Sequence, residues 1–256
     1  MTPAIQAQGL EKDFGGDAVL RGIDLDVPRG TIFGFVGPNG AGKTTALSVL
    51  TGVLLPTRGT VTLLGEAMTS ESPALRRRLG VVPDGFFLWE RLRADELLTL
   101  HGVVYGLEQP ELGRRVEEVL DRLDLAEHRQ KPVASYSHGL KKRVAVAAAM
   151  LHAPELLFLD EPFEGMDPLT VRVLVANLEA MAARGATVFL TSHQLEIVQR
   201  LCSRIAVIAR GAIVWEGTTG DLTARIASGS PGGLEALFFE LTGSPRTREV
   251  LTWLQR

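Results

Sequence analysis

The sequence predicts an α/β fold: a parallel-sheet core with an antiparallel β-rich flank, interrupted by an inserted helical subdomain. Three observations predict it. "AIQAQGLEKDF" and "GIDLDV", in the first 65 residues, alternate apolar and polar side chains, as half-buried antiparallel strands do. "TIFGFVG" (31–37) is nearly uniformly apolar, as a strand covered on both faces is, "ELLFLD" (155–160) is a buried strand, and "ATVFLTS" (186–192) is a further strand. Between them, residues 85–152 change to helical spacing.

Taken in order, a Gly-rich loop follows the strand at 31–37 and leads into a helix from Lys43 to about Gly52. "GTVTLLG" (59–65) is a strand and "GVVP" (80–83) a short one. In "ELGRRVEEVLDRLDL", Leu112, Val116, Val119, Leu120 and Leu123 fall on one helical face. "LKKRVAVAAAML" (140–151) is Ala-rich and helix-favouring. After the strand at 155–160, Asp167 caps a helix with Pro168 in its first position, and Gly185 ends it. "IAVIARGAIVWEG" is a hairpin turning at Arg210-Gly211. "SGSPGG" (228–233) is a loop before a short helical piece. The domain division is therefore 1–84 with 153–220 as core and β-subdomain, 85–152 as helical subdomain, and 221–256 as a tail.

Composition removes several classes of function. The chain has 256 residues, 45% hydrophobic and 22% charged, enough for a sizeable core. A net charge of −3 gives no basic field to attract nucleic acid or an anionic membrane. The single cysteine, Cys202, forms no internal disulfide and fits a reducing compartment. No secretory signal is read at Met1 to Leu10. The best apolar run, "VAVAAAML" at 144–151, is far short of the roughly 20 residues needed to span a bilayer.

The stretch "GPNGAGKTT" (37–45) matches G-x-x-x-x-G-K-[ST] through Gly37, Gly42, Lys43 and Thr44. Glycines let successive backbone N–H groups point at phosphate oxygens, and the helix N-terminus adds a favourable dipole. The lysine reaches the β- and γ-phosphates, and the threonine hydroxyl binds Mg²⁺. The match lies between a buried strand and a helix, where this chemistry requires it. Gly37, Pro38, Asn39, Gly40, Ala41, Gly42, Lys43, Thr44 and Thr45 are therefore the candidate phosphate cradle of a P-loop NTPase (RecA-like) core that holds a nucleoside triphosphate. "LLFLDEP" ends in Asp160-Glu161. An aspartate at the end of a buried strand helps hold Mg²⁺, and the next carboxylate can orient or deprotonate water.

These residues, together with four further stretches, resemble the ATP-binding subunit of ATP-binding-cassette (ABC) transporters, over about residues 4–220 in continuous order. Phe14 in "KDFGG" matches the aromatic that stacks on adenine. Residues 37–45 match Walker A, and Leu156 to Asp160 match Walker B with Glu161 as catalytic glutamate. "SYSHGLKKR" (135–143) falls at the signature loop, "EGMDP" (164–168) at the D-loop, and His193 in "TSHQLE" at the switch histidine. The resemblance implies that Ser137 and Gly139 touch the γ-phosphate bound by a second cassette, identical or related. It also implies a separately encoded membrane permease, a peripheral place on the cytoplasmic membrane face, and no nucleic-acid partner. Rival readings are a soluble cassette ATPase acting on ribosomes or nucleic acid, and a regulatory ATP binder with little turnover.

Two departures stand out. The signature reads Tyr136-Ser137-His138-Gly139-Leu140 instead of LSGGQ. In "GVVPDGFF", Asp84 occupies the place of the glutamine that touches Mg²⁺. Both features, with "DEPFEGMDP", resemble the exporter branch that works with ABC-2-type permeases. By the same resemblance, "GFFLWERLRADELL" offers apolar residues to a helix of the permease. Trp89 is open to two readings, partner groove or local core. His101, His128 and His152 read as surface or helix-end residues, Cys202 as core on a helix, and "RRR" (76–78) as a solvated face.

Overall fold

The computed structural model describes residues 2–69, 72–84, 89–227 and 233–243. The strands are β1 (Ile5–Asp13), β2 (Ala18–Val27), β3 (Ile32–Val36), β4 (Arg58–Leu63), β5 (Glu66–Ala67), β6 (Leu79–Val82), β7 (Leu156–Asp160), β8 (Thr187–Ser192), β9 (Arg204–Ala209) and β10 (Ala212–Thr218). The helices are α1 (Lys43–Leu50), α2 (Pro73–Arg76), α3 (Ala94–Val104), α4 (Glu111–Arg122), α5 (His138–Leu151), α6 (Pro168–Ala183), α7 (Leu195–Leu201), α8 (Thr219–Ala227) and α9 (Gly233–Thr242).

Two sheets form. The antiparallel one has the order β2-β1-β4-β5, and the six-stranded one β10-β9-β3-β8-β7-β6. In the larger sheet β9, β3, β8, β7 and β6 run parallel, and β10 closes the edge antiparallel to β9. The carboxyl ends of β3, β6, β7 and β8 therefore lie on one edge, where open α/β sheets bind their ligands.

The buried runs work by the two-residue period of a strand. Phe33, Phe35, Phe158 and Phe189 point to one face and pack with the inner side chains of the antiparallel sheet and with α1. Val36, Leu157, Leu159, Val188 and Leu190 point to the other, against α6, α7 and α9. Phe33 and Phe189 stack with ring centroids 5.7 Å apart. Helices α3, α4 and α5 build a third core of their own around Leu98, Leu112, Leu120 and Val144. The face predicted on α4 is the one it buries: Leu112, Val116 and Leu120 are inside.

Local signals in the sequence operate as their chemistry dictates. Asp167 Oδ1 accepts from the N–H groups of Leu169 and Thr170, both at 3.0 Å, and Pro168 opens α6. The β9–β10 turn has Arg210 and Gly211 at φ 49° and 79°, the double positive φ that a two-residue hairpin demands. Four expectations need correction. Cys202 is core but caps α7 in extended conformation instead of lying on a helix. Trp89 is 55% exposed, which removes the local-core reading. His101 and His152 are helix-end residues but not surface ones: both rings are half-buried and flank Tyr105, with centroids 4.6 and 3.9 Å from its ring. The basic cluster is not merely solvated, because Arg78 pairs with Glu155 at 2.7 Å and Glu66 at 2.6 Å. Residues 85–88 of the stretch expected to dock a partner, residues 228–232 of "SGSPGG" and residues 244–256 of the tail lie outside the described residues.

Candidate active site at the carboxyl edge of the sheet

The Gly-rich loop leaves β3 at Val36 and enters α1 at Lys43. Gly40 and Gly42 sit at φ 76° and 105°, where any side chain would be strained. Among the described residues no side chain caps α1. Its first N–H groups thus keep the donor capacity that an anion would satisfy. Lys43 is 8% exposed and donates from Nζ to Gly37 O at 2.8 Å and Pro38 O at 3.3 Å. The same Nζ is 3.9 Å from Glu161 Oε1.

Two strand ends complete the arrangement. Asp160 closes β7 and is fully buried. Its Oδ1 accepts a hydrogen bond from the Thr191 hydroxyl, while Oδ2 is buried with no partner among the described residues. Such an oxygen is costly unless something positive or protic meets it. Glu161, the next residue, has φ 47°, uncommon outside glycine, and its N–H donates to Thr191 Oγ1 at 3.1 Å. The side chain turns back toward β8. Its Oε2 accepts from the His193 backbone N–H at 3.1 Å and from His193 Nδ1 at 2.9 Å.

Lys43, Glu161 and His193 line a cleft of about 770 Å³ together with Asn39, Gly40, Gly42, Thr44, Thr45, Asp84, Glu164 and Val19, while Asp160, Gly37, Pro38 and Ala41 lie outside that lining. That volume lies within the range of nucleotide-sized pockets. Asp84, exposed just past the end of β6, faces the same space. Among the described residues no group of three His, Cys, Asp or Glu side chains could hold a metal by itself. The donors near the loop are the Thr44 hydroxyl and the Asp160 carboxylate. So sparse a set suits Mg²⁺, which keeps water and substrate phosphate oxygens in its shell.

Not every predicted residue enters this cleft. Phe14 is 51% exposed beyond its lining, with Lys12 Nζ 4.9 Å from its ring centroid. Ser137 and Gly139 stand apart from it too. Ser137 caps α5, its Oγ accepting from Leu140 N–H at 3.3 Å, and is exposed. Gly139 is buried against Gly165.

Sequence reasoning missed Thr191, Glu164 and Lys142. Thr191 had a signal: a hydroxyl residue at the end of an apolar strand that runs beside the one ending in Asp160. Lys142 had none, since a lysine in a basic helix reads as solvated. It is fully buried, and Nζ donates to Asp160 O at 2.7 Å. Burial pushes its ammonium below the usual lysine range, and Asp84, Asp160, Glu164 and Glu161 pull it back up.

Comparison with known proteins adds an independent line. The sequence model of the family described as ABC transporter matches residues 20–164. The linearmycin resistance ATP-binding protein LnrL of Bacillus subtilis (strain 168) is 35% identical over 222 residues, covering 87% of this chain and 71% of that protein. The Nod factor export ATP-binding protein I of Cupriavidus pinatubonensis is 36% identical over 222 residues, covering 87% of this chain and 68% of that one. A solved structure described as the ATP binding subunit of an ABC transporter superposes with a TM-score of 0.85 at 30% identity, covering 93% of this chain and 99% of that one.

Proposed function

The chain belongs to the ABC transporter family as an ATP-binding, ATP-hydrolysing subunit, and we propose that it drives export through a separately encoded membrane permease. Two cassettes, identical or related, close on two Mg-ATP. The observation that carries this reading is the convergence of Lys43, Glu161 and His193 in one cleft, next in sequence to Asp160, whose Oδ2 has no partner among the described residues.

The chemistry derives from these side chains. The loop N–H groups and Lys43 bind the phosphates, with Lys43 exchanging its carbonyl partners for phosphate oxygens. A lysine in contact with the transferring phosphoryl group stabilises charge that grows in the transition state. Thr44 and Asp160 are the residues that would hold Mg²⁺, with Asp84 as a third candidate, and the bound ion would neutralise phosphate charge. Glu161 orients a water and takes its proton. His193 holds that carboxylate in place through two hydrogen bonds. Phe14 supplies an exposed ring for the base.

Ser137 lies outside its own cleft and is exposed, which supports its use by the partner cassette's γ-phosphate. In this reading residues 85–152 move as the lobe that carries the signature, residues 1–84 with 153–220 hold the nucleotide, and residues 221–256 form a tail. No helix among the described residues is long and apolar enough to cross a membrane, so the span is assigned to the permease. The direction, export, is inferred from relatives named for drug resistance and Nod factor export.

The test is affinity purification from gently solubilised native membranes. A multi-spanning protein recovered in near-equal amount supports the reading. Recovery only with ribosomes, nucleic acid or other soluble proteins would overturn it.

A further inference from the structure

We propose that Lys142 is a positioning residue that couples the signature end of α5 to the catalytic end of β7 within one chain. This coupling rests on the proposed function, in which Glu161 activates water and the signature meets the nucleotide of a second cassette.

A lysine stem is readily buried among apolar neighbours, but its head is not, unless it is hydrogen-bonded. Lys142 is fully buried one turn inside α5, and its head reaches the main-chain carbonyl of Asp160 at 2.7 Å. That carbonyl belongs to the peptide joining Asp160 to Glu161. The bond therefore fixes the plane from which the catalytic carboxylate departs, at a residue held at φ 47°. Strain of this kind persists only when surrounding contacts over-determine it.

Two more contacts fasten the next segment to the same helix. Arg143 Nη2 donates to Asp167 Oδ2 at the far end. In the middle, a Cβ on Gly139 would come within 2.2 Å of Gly165 O, so the first turn of α5 rests directly on the D-loop backbone. Residues 160–167 are thus gripped at both ends and at the centre by a helix whose capping residue is Ser137. A phosphate contact that shifts the first turn of α5 at one nucleotide would be felt at Glu161 beside the other. Of the three contacts, only the one made by Lys142 touches the catalytic peptide.

The test compares Lys142→Met, Lys142→Arg and Glu161→Gln with the parent, as purified full-length protein, in steady-state ATP hydrolysis. Methionine keeps the apolar stem and removes the donor. Misplacing a reacting group by a fraction of an ångström to an ångström costs up to about 100-fold in rate. The expected result for Lys142→Met is a kcat lower by at least about tenfold, with KM for ATP held within about threefold. Lys142→Arg, which restores a donor, recovers part of the loss. Parental turnover in Lys142→Met while Glu161→Gln is inactive would overturn the coupling alone. Parental turnover in Glu161→Gln would instead remove the assignment of Glu161 beneath it. A rise in KM matching the fall in kcat, with no recovery by arginine, would mark Lys142 as a fold-holding residue and also overturn the proposal. Where Lys142→Met does not fold, Lys142→Leu, which also removes the donor, replaces it, with the same two outcomes for kcat and KM.

Discussion

Glu161 Oε2 is held by His193 twice, by the backbone N–H at 3.1 Å and the ring Nδ1 at 2.9 Å. An ionised carboxylate only accepts, so the contact places the ring proton on Nδ1. In the proposed mechanism the base that takes a proton from water is therefore pre-aimed by the residue just past the end of the adjacent strand. Glu161→Gln keeps the shape and removes the basicity. Turnover is expected to fall by about 10²–10⁴-fold, the usual worth of a general base. ATP affinity is retained, and a nucleotide-trapped dimer accumulates. Phosphate release and gel filtration with ATP check both; parental release would remove Glu161 from the mechanism.

Lys43 makes its case through what it now binds. Its Nζ is held by two loop carbonyls, Gly37 O and Pro38 O, at 2.8 and 3.3 Å. Phosphate oxygens are stronger acceptors for an ammonium than carbonyls, so the proposed exchange of partners costs little. Lys43→Ala loses a charged hydrogen bond of about 1.5–3 kcal/mol, or roughly 10- to 150-fold in ATP affinity. Titration with a fluorescent ATP analogue measures it. Unchanged affinity would mean the lysine does not reach the phosphates.

Asp84 faces the cleft from the end of β6, where the family resemblance places a glutamine. A carboxylate binds Mg²⁺ more strongly than an amide and is repelled by phosphate when metal is scarce. Asp84→Asn is expected to raise the Mg²⁺ concentration needed for half-maximal hydrolysis by severalfold, with ATP affinity in excess metal little changed. A superimposable metal titration would argue against contact between Asp84 and the ion.

How far the sequence carries this picture depends on the range of each interaction. The Gly-rich loop, the Asp167 cap and the Arg210-Gly211 turn are short-range devices, and their residues announce them. The burial of β3 and β7 is equally legible, because an unbroken apolar run has few other uses. Helices α3 and α7 carry no such sign. The first begins in "RADELL", where Arg93 stands at the N-cap in place of the usual Ser or Thr and only Glu96 reaches back, accepting from the Arg93 N–H at 2.9 Å. The second is seven residues long, too short for a periodic signal. Thr191 and Lys142 join the site only through a neighbour 31 and 18 positions away, Asp160, and one sequence does not report such distances. The placement of Ser137 and Gly139 away from their own cleft is implied by family resemblance, not by any local pattern.

Acid sensitivity is expected at the His101–Tyr105–His152 stack between α3 and α5. His152 Nε2 donates to Leu79 O at 3.0 Å, tying the helical subdomain to β6, while Nδ1 is buried without a partner among the described residues. Burial lowers the pKa of His152 to about 4 from 6.5, with nearby His101 and Arg115 pushing the same way and the Leu79 carbonyl pushing back. Burial lowers His101 as well. A histidine depressed in the folded state binds its proton more readily when unfolded. Stability is therefore full above the ordinary value near 6.5 and is lost as pH falls toward about 4. One proton over that window is worth ~3 kcal/mol by linkage, reduced to the order of 1–2 by solvent reaching a part-buried ring. His152→Phe keeps an aromatic ring beside Tyr105 and cannot titrate. Its stability at pH 7 should drop by about 1 kcal/mol for the lost hydrogen bond to Leu79. Its change between pH 7 and 5 should be smaller than the parent's. Urea unfolding of both proteins at the two pH values decides the matter, and equal changes would place the acid sensitivity elsewhere.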